Sequence, residues 1–233
     1  MDGTRGAGLR NEALTAVAVL AAVAVAVLSA IPGAATLSLA AQSAAALGAG
    51  VAGAVTARHS TGSARWAWRF IAAGACSWGA ANVIWALTGE AQGGSALASL
   101  ADLGFVALFP LAFVGLMFHP AAPRGTAGLT RLALDGLIAA GSLRLVAWLL
   151  FLEDAHDGSV GHQFQDAVGF AQAVGDFGLV TVAVLVAAGA RRGRRTPLLL
   201  LAAGFAAVGV ADGIFTFAVL DGTYASGDPV DLL

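Results

Sequence analysis

The stretch RLALDGLIAAGSLRLVAWLLFL, residues 131–152, is apolar over a length that can cross a bilayer, yet it carries an acid, Asp135, and a base, Arg144. A charged side chain near the middle of a bilayer costs at least about 2.5 kcal/mol, so such residues face the protein interior and find partners there. Positions nine apart project to opposite sides of a helix. Asp135 and Arg144 therefore cannot neutralise one another, and each is expected to look to a different neighbouring helix. The segment predicts a bundle built around it.

The rest of the chain has the composition such a bundle needs. Of 233 residues, 58% are hydrophobic and only 11% are charged, and the mean hydropathy is +0.82. That is far from soluble composition and reads as an integral membrane protein, with the lipid bilayer as its solvent and nothing that points to nucleic acid. The 31 glycines and abundant alanines suit helices that must approach closely without a hydrophobic force between them; residues 48–55, GAGVAGAV, form one such surface. The single cysteine, Cys76, excludes an intramolecular disulfide or a cysteine-based metal site. All twelve cations are arginine, so a retinal protein, which needs a Schiff-base lysine, is excluded.

Seven spans follow in order. Glu12 and Arg58 enclose an uncharged run broken by Ile31-Pro32-Gly33, which divides it into spans at 13–31 and 34–57. The first of these exceeds the roughly 7–15 apolar residues of a signal peptide, and we read it as a retained helix. The others are 66–88, opened by the interfacial anchors Trp66 and Trp68; 99–118, with Pro110 inside; 132–152; 167–190; and 197–220. Residues 1–12 precede the bundle and 221–233 form an outer tail.

Loop charge orients these spans. Arg5, Arg10, Arg58, Arg65, Arg69, Arg124, Arg131, Arg191, Arg192, Arg194 and Arg195 all fall on one side, and the alternate loops hold acids without arginine. By the positive-inside rule the N-terminus is cytoplasmic, the C-terminus is outside, and the chain is a multi-pass protein of the cell membrane. Arg144 alone breaks the pattern.

This layout suggests a tandem repeat of helical hairpins. Outward-going helices carry Asn82, Asp135 and Asp212, and inward-going segments open with Asp102, Asp176 and Asp231. Duplication and chance in low-complexity apolar sequence both account for these matches. Asn82, Asp102, Arg144, Asp176 and Asp212 fall in the outer half and could share one pocket; with Asp135 they are the candidate ligand or polar-pocket residues. A structural reading stands beside this one. Asp102 and Asp176 could cap first turns, and Arg144 could snorkel outward over Trp148. Trp78, Asn82 and Trp85 share one helix face, as packing residues often do. His156 and His162, among Glu153, Asp154 and Asp157, carry no more metal-ligand signal than any acidic loop, and no cofactor is implied.

Four stretches then carry a resemblance: WAWRFIAAGACSWGAANVIWA (66–86), SLADLGFVALFPL (99–111), RLALDGLIAAGSL (131–143), and ADGIF with DGTYASGDPVD (211–231). In this succession the chain resembles the N-terminal membrane region of actinobacterial GGDEF/EAL proteins, in which a multi-span sensor region precedes cytoplasmic PAS, GGDEF and EAL domains that make or degrade cyclic di-GMP. The likeness covers most of residues 60–231. It implies a membrane sensory or anchoring module for signal transduction, without enzymatic activity in this chain, since no GGDEF or EAL sequence is present. Arg144 is not carried over from that pattern. A small transporter or channel using the outer-half acids is the alternative.

An odd number of spans leaves the C-terminus outside, so a cytoplasmic partner domain requires one further crossing. Val230-Asp231-Leu232-Leu233 repeats the opening of the earlier inward helices. We therefore expect a truncated eighth span, weakly helical over 228–233, and an apolar face of the seventh span that meets lipid or a second copy. For the topology, a cysteine at Ser159 in a Cys76→Ala background should react with an impermeant thiol reagent in intact cells. Labelling only after permeabilisation reverses the orientation.

Overall fold

The computed structural model describes residues 35–88, 96–147, 163–191 and 195–220. They form six helices: α1 (Ala35–His59), α2 (Gly62–Thr88), α3 (Ala96–Phe118), α4 (Thr126–Ala147), α5 (Gln163–Gly189) and α6 (Arg195–Leu220). No strand occurs among the described residues. Helices suit a lipid solvent, because in hydrocarbon an α-helix satisfies each of its backbone N–H and C=O groups within its own segment. The tight reversals rest on glycine. Gly62, which opens α2, has φ +58°, and Gly125, before α4, has φ +89°, values that a residue with a Cβ adopts only under strain.

Four of these helices are long and apolar enough to cross a membrane, over Ala40–His59, Gly62–Leu87, Leu100–Phe118 and Arg195–Ile214. The seven-span expectation is therefore met in part. Among the described residues, the apolar part of α5 is Val174–Gly189. α4 is interrupted by Arg131, Asp135 and Arg144. The first predicted span, residues 13–31, lies outside the described residues, as do 148–152, the loop with His156 and His162, and the tail 221–233.

Each helix packs mainly on its neighbour in sequence except at one place. α1 lies on α2, α2 on α3, α4 on α5 and α5 on α6, while α3 packs on α5. Glycine makes these approaches close. Gly50 of α1 meets Cys76 and Gly53 meets Ala72; Gly104 of α3 meets Ala81 and Gly115 meets Ile71 and the Ala67 carbonyl. At Gly104 the contact also brings a backbone carbonyl within reach of α2, and Ser77 Oγ donates to it at 2.8 Å. The interior of the second half is apolar: Leu116, Leu179, Val182 and Val186 are fully buried, joined by Leu132, Leu198, Ala202 and Phe205. Arg195 closes the turn into α6, donating through Nε to the Ala190 carbonyl at 2.8 Å and through Nη2 to that of Ala188 at 3.0 Å. These are the orphan acceptors at the end of α5.

The same close approach predicts opposite effects for two glycine-to-alanine changes. A Cβ at Gly115 would stand 2.9 Å from the Ala67 carbonyl oxygen and 2.7 Å from Ile71 Cγ1, whereas one at Gly204 meets nothing within 4 Å. Gly115→Ala should lower stability by about 1–3 kcal/mol, and Gly204→Ala should raise it by up to about 1 kcal/mol. Melting of the purified protein in detergent measures both.

Candidate functional site

The polar residues of the spans divide once they are placed. Asp176 is the most buried carboxylate described, 3% exposed, on the side of α5 that meets α6. It gets there because α6 carries glycine opposite it: a Cβ at Gly209 would lie 3.0 Å from Asp176 Cβ. One turn further along α6 the half-buried Asp212 brings its carboxyl within hydrogen-bonding reach of that of Asp176. Two acids thus face each other in an apolar helix seam, and Asp176 Oδ2 is buried with no donor against it among the described residues.

This pairing has a definite chemistry. An ionised carboxylate accepts hydrogen bonds and donates none, so two carboxyls bond to each other only through a proton held between them. Failing that, a cation must come between them. No group of three or more metal-ligating side chains exists among the described residues, so the seam offers a small charge carrier two carboxyls and little further coordination.

The remaining candidates are placed elsewhere. Asn82 is buried, 5% exposed, but its amide donates to the Trp78 carbonyl one turn back on its own helix at 3.0 Å. Beside it Trp78 packs edge-on against Phe105 of α3, with ring centroids 6.3 Å apart. Asp102 is half-buried six residues into α3. Neither Asn82 nor Asp102 bonds to the carboxyl pair among the described residues.

Asp135 is a correction. Its side chain is 47% exposed, and its Oδ2 lies 3.8 Å from Arg131 Nε on the same helix, in an i,i+4 pair. The arginine one turn earlier supplies a local partner on the same helix, where the sequence pointed to a neighbouring one.

Arg144 stands on α4, and its side chain lies outside the described residues. Its backbone position follows from the α4–α5 register, in which Gly136 lies against Val182 and Ala140 against Gly178. Position 144, one turn beyond Ala140, falls at the level of residues 174–175, next to Asp176 in sequence. The sequence held one unused signal for the acid pair: Gly209 three residues before Asp212 marks a face of α6 open to a close neighbour.

Comparison with known proteins returns no matching family model, no matching curated protein and no matching solved structure.

The register generates a coupling test. Arg144→Leu should cost about 3–5 kcal/mol if that arginine compensates the acids. Adding Asp176→Asn should then recover much of the loss. Equal, additive losses in detergent melts would separate Arg144 from the pair.

Proposed function

We propose that this chain is a membrane sensory or anchoring module of a cyclic-di-GMP-type signalling protein, and that the α5–α6 seam is its responsive element. The observation that carries this reading is Asp176, buried in an apolar seam against Asp212 with no donor on Oδ2 among the described residues. The energy of such a seam depends on whether its charge is neutralised, and a helix contact whose energy responds to a bound proton or cation is what a switch needs. The likeness of residues 60–231 to the membrane regions of GGDEF/EAL proteins supplies the signalling context. In this reading the bundle crosses the cell membrane seven times with its N-terminus inside, its hairpins descend from a repeat, and catalysis resides in separate cytoplasmic domains.

The same acids favour a second reading, a small transporter or channel in which they lie on the pathway. Two measurements separate the two. A chimera joining this chain, through one added crossing helix, to a diguanylate cyclase domain should change cellular cyclic di-GMP severalfold on Asp176→Asn or Asp212→Asn. Proteoliposomes of the chain alone should show no protein-dependent ion flux. Flux that those substitutions abolish, with an indifferent chimera, replaces the sensor by the transporter.

A further inference from the structure

We propose that α1 and α2 form a binding site for an anionic phospholipid, with an acyl chain in the trough between the helices and the phosphate against Arg58 and Arg69. This site lies in the other half of the bundle from the acid pair and does not depend on the sensor reading. A cleft of about 290 Å³ runs between the two helices, walled by Gly50, Ala54, Ala57 and Ala73, with Arg58 and Arg69 at one end. The trough exists because these positions carry no side chain beyond Cβ: the helices touch at Gly50 and Gly53, while the exposed Ala54 and Ala73 leave the rim open.

Both helices are membrane-crossing in length and composition, so this apolar trough opens toward lipid chains. Arg58 sits in the last turn of α1 and Arg69 in the second turn of α2, at the level where headgroups lie.

Charge selects the occupant. No aspartate or glutamate lies between Glu12 and Glu90, and the ion pair found among the described residues is Arg131 with Asp135, far along the chain. Arg58 and Arg69 are both exposed. Arg69 lies over the Trp66 ring, 4.9 Å from its centroid, a contact that uses the guanidinium face and leaves its edge donors free. Arg65, by contrast, is committed through Nε to the Ser60 carbonyl at 2.9 Å. Two uncompensated planar donors at the mouth of an apolar trough match a phosphate ester on a hydrocarbon chain. A zwitterionic headgroup carries its own cation beside the phosphate and fits less well.

Native mass spectrometry of the full chain in detergent, with phosphatidylglycerol and phosphatidylcholine of identical acyl chains, tests the site. Phosphatidylglycerol should be retained roughly tenfold or more over phosphatidylcholine. Its retention should fall to the phosphatidylcholine level in Arg58→Gln/Arg69→Gln, and also in Ala54→Leu/Ala73→Leu, which fills the trough and leaves both arginines. All four positions are exposed, and an unchanged melt shows that each variant is folded. Equal retention of the two lipids, or undiminished phosphatidylglycerol in either variant, overturns the proposal. So does a disulfide in native membranes between Cys76 and a cysteine placed within residues 13–31, which gives the trough to the chain's own segment.

Discussion

The close approach of α5 to three other helices is the contact on which the second half of this bundle depends, and glycine permits it at each seam. Gly175 lies under the Phe109 ring of α3, Gly178 faces Ala140 of α4, and Gly209 of α6 lies against Asp176. Between membrane helices there is no hydrophobic driving force, so association rests on packing and on hydrogen bonds that only close backbones can make. A side chain at Gly175 would collide with the Phe109 ring and one at Gly209 would press on Asp176, whereas Gly178 leaves room for a Cβ in ordinary contact with Ala140.

The first half obeys the same constraint with a different outcome. Along α1 and α2 the small residues outnumber the large, so the helices meet at Gly50 and Gly53 and leave a trough beside the contact. In the second half, Leu116, Leu179, Val182 and Val186 fill the equivalent space. The second half thus has a packed core, and the first a cleft between α1 and α2. Aromatic residues finish the edge between them: Phe70 stacks on Phe118 with centroids 5.8 Å apart, and Trp66 lies beside Phe70 at 6.3 Å.

Burial of Asp176 is the costly feature of this design. A carboxyl taken out of water needs a partner, and the partner α6 brings is a second carboxyl. Side chains selected for stability alone would be apolar at both positions, as Leu179 of α5 and Phe205 of α6 are in the buried core. The pair is the point at which this seam departs from apolar packing.

Much of this was legible in the residues alone. The long apolar runs and the scarcity of charge pointed to helices of membrane-crossing length, and four such helices stand among the described residues, each bonding its own backbone where the solvent cannot. Arg124, read as loop charge, falls in the break between α3 and α4. The intramembrane acids could be named one by one, since each is an exception to its surroundings. Which of them meet was decided only by the tertiary structure. Asp135 was settled by Arg131 a turn away, and Asn82 by the carbonyl of Trp78. Asp176 and Asp212 came together because α5 and α6 pack with Gly209 between them. Helix periodicity fixes the direction of a side chain relative to its own axis, whereas the rotation and depth of one helix against another follow from where small residues let the backbones touch.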